Sequence, residues 1–386
     1  MGEKQKRIGI VTLPGYFNYG NRLQNYALQE TLKELGFDVE TLVVPKPPVA
    51  RTNENKFFSK IKRASQLPPH EIYKRVMRKY DIYKRVMRKY TLYTNRENIR
   101  RRTDIFRDFS RNYLNERFVE NPDETLESVG NHYDYLITGS DQVWNPHFTK
   151  GLEHLYFLTF TEPEKRIAYA ASFGITDLPE YFKEMIKPWL SDMKAISVRE
   201  DSGAQIVKDV AGRDAEVLLD PTLLLSKQKW LEIAKVPQKP NGDYILTYFL
   251  GKKPKEAVQL ISRISREKKL PVINLADLKD KQAYQTGPAE FVDYINSASA
   301  VFTDSFHGVA FSVLLETPFV VYERIGSLSM YSRIETLLNS LNLGIREARK
   351  ILEPKMVFDI DFSRTDKILQ EEKNKAVDFL KNNLDT

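Results

Sequence analysis

Phe302-Thr303-Asp304-Ser305-Phe306-His307-Gly308 holds a histidine between a short apolar run, 300–303, and a helical pattern that begins near Gly308. Imidazole is the side chain best suited to moving protons near neutral pH. In such a turn it also sits beside free helix N–H groups, which favour anions. Asp304 or Ser305 could orient the ring or touch a ligand. The competing reading is a histidine that only caps or packs. A second apolar run ends in Ser197-Val198-Arg199-Glu200, and an arginine there suits bidentate recognition of carboxylate or phosphate. Its plainer alternative is an ion pair with Glu200 or Asp201. A third candidate is the loop Gly15–Arg22, rich in Gly, Asn and Tyr, where Gly20, Asn21 and Arg22 could hold an anion or a sugar at a helix start. The loop lacks both the dinucleotide fingerprint and the P-loop Lys-Ser/Thr. Ser140-Asp141 closes another run, and Asp141 could bind sugar hydroxyls or cap a helix.

The elements that must position these residues follow from periodicity. A strand over 7–13, a glycine loop, a helix over 22–35 and a strand over 38–44 open a doubly wound α/β sheet. Further strands are expected over 133–139, 166–171, 194–198 and 216–219, each ending in a small or charged cluster. In a parallel sheet those ends share one edge, where ligands bind. Pro237, Pro240 and Gly242 mark a boundary, after which the alternation restarts with strands at 244–250, 271–275, 300–303 and 319–322. The expected architecture is two Rossmann-like lobes facing a cleft. Residues 1–235 form an N-terminal, acceptor-side lobe and 236–345 a C-terminal, donor-side lobe. Residues 346–386 form a helical tail.

Composition narrows the function. The chain has 386 residues and no cysteine, which excludes disulfides, thiolate catalysis and Cys-ligated metals. The histidines show no metal-ligand spacing, so no metal is assigned. The net charge of +7 is unevenly placed: residues 51–118 carry 20 Lys/Arg against 7 Asp/Glu, a net of +13, and the remainder 39 against 45, a net of −6. That basic segment reads as a helical insertion in the first lobe. It contains a decapeptide, 71–80, repeated at 81–90 with one acid exchanged for the other. Ten residues rotate the second copy by about 80° on a helix, so the repeat suits a tolerant surface better than a core. Aliphatic and aromatic residues interleave with the basic ones, so 71–118 is expected either to contact an anionic membrane surface or to be a solvated insertion. No reading element for nucleic acid accompanies the charge, and no such partner is assigned. The polar, basic start and the lack of a long apolar run place the chain in the cytoplasm as an expectation, with peripheral contact at the inner face of the membrane.

Five stretches in order resemble the polysaccharide pyruvyl transferases: 19–29, 139–145, 197–200, 219–222 and 303–308. The resemblance runs from about Ile8 to Arg346 and leaves the basic insertion outside. It implies a fold similar to two-lobed GT-B glycosyltransferases and no cofactor. It implies phosphoenolpyruvate as co-substrate, and as acceptor a sugar of a cell-surface glycan or its lipid-linked precursor, joined as a pyruvate ketal. By the same resemblance His307 is the proton donor and Arg199 a ligand of the donor's anions, with Asp304, Ser305 and Gly308 beside them. Gly20, Asn21, Arg22, Ser140 and Asp141 face the acceptor. Many relatives carry arginine where this chain has Ser305, so a second anion clamp is sought at Arg333, then at Arg324. Two other readings stay open. One is a nucleotide-sugar glycosyltransferase holding a ribose at Glu316, and the other a membrane-associated binding module without catalysis.

Overall fold

The computed structural model describes residues 5–44, 91, 93–121, 124–237, 239, 242–326 and 331–385. The proline-rich stretch at 45–70 and the decapeptide repeat lie outside them. Two sheets, every pairing parallel, carry the chain. The first contains β1 (Arg7–Val11), β2 (Asp38–Val43), β3 (Glu116–Phe118), β4 (Tyr135–Asp141), β5 (Arg166–Ala171), β6 (Ala195–Val198) and β7 (Glu216–Val217), in the order β3-β2-β1-β4-β5-β6-β7. The second contains β8 (Ile245–Tyr248), β9 (Val272–Leu275), β10 (Ala300–Thr303) and β11 (Phe319–Val321), in the order β11-β10-β8-β9. The architecture is α/β with two Rossmann-like lobes. Strand order reverses between β1 and β4 and again between β8 and β10. Crevices of this kind, beyond the carboxyl ends of strands, are where open α/β sheets bind ligands.

Six helices matter to the site: α1 (Tyr19–Glu34), α2 (Arg96–Tyr113), α3 (Asp201–Ala211), α4 (Phe306–Leu314), α5 (Ser332–Ser340) and α6 (Ser363–Asn383). Helix α1 starts three residues before the expected Arg22, because Asn18 caps it: its side chain accepts from Gly20 N at 3.0 Å. The expected glycine loop is thus partly helix. The terminal helix α6 packs on the first lobe, where Ala376, Phe379 and Leu380 join Ile8, Ile10 and Tyr169. A shared core joins the lobes: Tyr19 stacks on Phe291 at 4.4 Å and lies 5.4 Å from Tyr248.

The described part of the basic segment is helical over 96–113, as expected, but departs from a surface excursion in two respects. Its residues 116–118 form β3, the edge strand of the first sheet. Helix α2 buries Arg102, Phe106 and Phe109. Spacings of four and three put these on one face, an inward stripe that a charge sum conceals. The outward face carries ladders such as Arg101–Glu97 at 2.5 Å and Arg111–Asp108 at 2.9 Å. Pairs of this kind contribute only a few tenths of a kcal/mol, about 0.3–0.5. The apolar side of this helix therefore faces protein. No helix among the described residues is long and apolar enough to cross a membrane.

Candidate active site

The strand ends of the first lobe and the α4 turn of the second meet at one charged cluster. Arg199, one residue past β6, forks between two carboxylates: Nη2 donates to Asp141 Oδ1 at 3.0 Å and Nη1 to Asp220 Oδ2 at 2.6 Å. Its guanidinium also lies over the Phe306 ring, 4.4 Å from the centroid. Asp220 is held by a turn of its own, its Oδ1 accepting from Thr222 N at 3.0 Å and from the Thr222 hydroxyl at 2.7 Å. Ser140 Oγ lies 3.0 Å from Asp220 Oδ2 and 2.8 Å from Ala170 O. Asn21, in the first turns of α1, donates to Asp141 Oδ2. The Asp141 backbone is left-handed, φ 67°. That costs an L-residue about 1–2 kcal/mol and aims its carboxylate into the cluster.

The second lobe adds His307 and Arg333. His307 lies in the first turn of α4, 4% exposed, with Nε2 3.6 Å from Asp220 Oδ2. Gly20 covers the other side of the ring: a Cβ there would fall 1.9 Å from Nδ1. The N-termini of α1 and α4 therefore converge on one imidazole. Arg333, on α5, is 5% exposed and stands 3.7 Å from Asp141 Oδ1. It makes no hydrogen bond among the described residues, and its Nε is buried without a partner. Arg199 Nε and His307 Nε2 are orphaned in the same way.

Charge and burial oppose one another here. Burial by itself would raise the carboxyls of Asp141 and Asp220. Arg199, His307 and Arg333 outweigh it for Asp141, and His307 and Arg199 outweigh it for Asp220, so both sit below the usual carboxylate range. For Arg199, burial works against its charge, but Asp220 and Asp141 prevail and its pKa rises. For Arg333, Asp141 and Glu200 act in the same sense but do not prevail. Burial, then repulsion from Arg199, lowers its pKa to about 10.

Other expected site residues have different tasks. Asp304 braces the second lobe, accepting from Leu250 N at 2.7 Å and Gly251 N at 2.8 Å. Arg324 approaches that carboxylate at 3.5 Å. Ser305 caps α4, its hydroxyl accepting from Gly308 N at 3.4 Å. Gly308 permits close helix–strand packing, since a Cβ would fall 2.5 Å from Thr303 Oγ1. These three shape the turn that presents His307. Arg22 departs from the expected acceptor-facing position. Its guanidinium is fully buried against Glu116 at 2.6 Å and Leu13 O at 3.0 Å. One residue along a helix turns the side chain by about 100°, so Asn21 and Arg22 face different neighbours. Glu316 lies two residues past the end of α4 and pairs with Lys227 at 2.5 Å. Sequence reasoning missed Asp220, although it stands in the 219–222 stretch. It also missed Glu200, which is buried and accepts from Ser172 Oγ, Phe173 N and Gly174 N at 2.9–3.1 Å.

The profile of the polysaccharide pyruvyl transferase family matches residues 18–324. The chain belongs to that family. The matched range contains Asn21, Asp141, Arg199, Asp220 and His307, whereas Arg333 falls beyond it. Among solved structures, the chain is similar to a putative UDP-N-acetylglucosamine 2-epimerase from Listeria monocytogenes, at 9% identity over 95% of this chain and 91% of that one, TM-score 0.47. It is also similar to UDP-GlcNAc 2-epimerase from Neisseria meningitidis, at 8% identity over 96% and 100%, TM-score 0.43. A third is MurG from Acinetobacter baumannii, at 10% identity over 98% and 99%, TM-score 0.37. Comparison with curated proteins yields no significant match.

The Gly20–His307 contact is testable without a substrate. Alanine favours a helix over glycine by about 0.5–1 kcal/mol. The added methyl has no room beside the ring, and overpacking costs about 1–3 kcal/mol. Gly20→Ala is therefore expected to displace His307 and raise its rate of modification by diethyl pyrocarbonate severalfold, read by mass spectrometry of its peptide. An unchanged rate would show that the ring does not rest on Gly20.

Proposed function

We propose that this pyruvyl transferase family member moves the pyruvyl group of phosphoenolpyruvate onto two hydroxyls of a sugar, in a cell-surface glycan or its lipid-linked precursor. The observation that carries this reading is a buried guanidinium, Arg333, with no hydrogen-bonding partner among the described residues, next to a second arginine and an orphaned imidazole nitrogen. A small dianionic donor with an attached carboxylate supplies the acceptors that such a cluster lacks. Arg199 already bonds two carboxylates, so Arg333 is the cation with donors to spare. The converging ends of α1 and α4 add partial positive charge.

In this reading His307 gives a proton to the methylene carbon of phosphoenolpyruvate, and one sugar hydroxyl adds to C2. The C2–O bond to phosphate breaks, and the second hydroxyl closes the ketal. Of the two hydroxyl protons, one replaces the proton His307 gave up and the other leaves with phosphate. Asp220 faces the imidazole, its Oδ2 3.6 Å from Nε2. Asn21 and Asp141, on the side of the first lobe, are the groups assigned to the acceptor.

Phosphoenolpyruvate is expected to raise the melting temperature, by about 3 kcal/mol of linked stability at a hundred times its dissociation constant. Phosphate release should then require a glycan acceptor. A shift with UDP-N-acetylglucosamine and none with phosphoenolpyruvate would replace this reading with a nucleotide-sugar transferase.

A further inference from the structure

We propose that Arg102 is a positioning residue for His307, holding the two lobes at the separation that seats Gly20 on the imidazole. This rests on the assignment of His307 as the proton donor. Arg102 lies on α2, within the segment whose charge suggests a surface role, yet it is 2% exposed. Its Nη1 donates to the Tyr19 hydroxyl at 2.7 Å, to Tyr284 O at 2.7 Å and to Thr286 O at 3.3 Å, while Nη2 donates to Phe17 O at 3.2 Å. Tyr19 and Phe17 belong to the first lobe; the two carbonyls at 284 and 286 belong to the second. One guanidinium therefore bonds both lobes directly.

Arg102 has no carboxylate partner among the described residues. Its charge is met by neutral oxygens and by ring faces, with Cζ 4.5 Å from the Tyr19 centroid, 4.9 Å from Phe106 and 5.1 Å from Tyr284. Burying a cation without a counter-ion is costly. What this one secures is geometry: a planar fork can span two backbones where an ammonium cannot.

The route to His307 is three residues long. Tyr19 is fixed through its hydroxyl by Arg102 and through its ring by Phe291 and Tyr248 of the second lobe. Gly20 follows and abuts the imidazole. Asn21 comes next and donates to Asp141. A change in lobe spacing at Arg102 must therefore move the residue that touches the ring. Misplacement of a catalytic group by about 1 Å can cost a hundredfold in rate.

The test uses the full chain, whose lack of cysteine allows two spin labels at Glu120→Cys and Lys279→Cys, one exposed site in each lobe. In Arg102→Gln the interlobe distance distribution should widen. The ring resonances of His307, assigned with His307→Gln in histidine-labelled protein, should shift while those of the other four histidines stay in place. Tyr19→Phe removes one hydroxyl only and serves if Arg102→Gln fails to fold; it should produce the smaller of the two shifts. With phosphoenolpyruvate and acceptor, kcat should fall about tenfold with little change in KM for the donor. Folded variants with an unaltered distance and an unaltered His307 signal would overturn the proposal. Failure of phosphoenolpyruvate to bind the wild-type chain would overturn the reaction assigned above and leave both spectroscopic outcomes standing.

Discussion

His307→Gln is expected to lower phosphate release from phosphoenolpyruvate and acceptor by about 10³-fold, within the 10²–10⁴ that a positioned acid supplies. The glutamine amide fills much of the space of the ring and can approach Asp220, but it cannot deliver a proton to carbon. Among the described residues the ring is the only histidine in the cluster, with Nε2 3.6 Å from Asp220 Oδ2 and Nδ1 against Gly20, so none of their imidazoles can substitute. The rest of α4 is anchored independently, through buried Val309, Ala310 and Phe311, and the fold should survive. Asp220→Asn gives the graded comparison. Its single amide oxygen can keep the bonds from Thr222, but the place of Oδ2, which accepts from Ser140 and Arg199 and faces the imidazole, becomes an uncharged NH2, and a loss of about 10–100-fold is expected. Phosphate release measured alongside melting temperature separates chemistry from stability. Turnover of His307→Gln within threefold of wild type would remove His307 from the mechanism.

Much of this site could be read before any coordinates were known, for a physical reason. Parallel strands buried on both faces appear as short apolar runs, and the polar residue that ends each run must lie on the crevice edge. Arg199, Asp141 and the turn before α4 were found in that way. What stayed hidden depends on direction and distance. The pairing of Asp220 with Arg199 and His307 spans 21 and 87 residues, and no local pattern announces it. Arg22 sits beside Asn21 in sequence but turns toward Glu116, because a helix separates adjacent side chains by about 100°. The three-residue strand β3 is too short to show a period, and it hid inside a basic segment. Arg102 was missed for the opposite reason: it was counted as one of twenty charges, although its spacing to Phe106 and Phe109 marks a buried face. The clamp that the family resemblance would set at Ser305 has no cation there, and the structure places Arg333, from a different helix, beside the same cluster.

Arg333→Met is expected to stabilise the protein and to disable donor binding, two effects of one charge. The guanidinium is 5% exposed, hydrogen-bonds nothing among the described residues, and has Asp141 at 3.7 Å and the charge of Glu200 to set against burial and repulsion from Arg199 and Arg324. Its pKa is lowered to about 10 from an ordinary value near 12.5. For a base, a folded-state value below the unfolded one means that folding disfavours the charged form. Both states are charged at pH 7, so the cost is present throughout the neutral range and declines only as pH rises through about 10. Methionine follows the path of the arginine stem without the charge, and replacing poorly compensated buried charge with apolar volume is often worth about 1–4 kcal/mol. Arg199 should behave in the opposite sense. It holds Asp141 and Asp220, and removing it would leave two buried carboxylates without the cation that hydrogen-bonds both, at a cost of about 3–5 kcal/mol. An anion bound at Arg333 gains what the bare site lacks, and losing a charge-assisted bond of about 1.5–3 kcal/mol should weaken phosphoenolpyruvate binding about 10–150-fold. The melting temperature of Arg333→Met alone should rise by a few degrees, and the further rise on adding phosphoenolpyruvate should disappear. A variant that melts lower than wild type would contradict the stability argument. One that keeps the full phosphoenolpyruvate shift would remove Arg333 from the donor site and move the missing clamp to Arg324, whose Nε is likewise buried without a hydrogen bond.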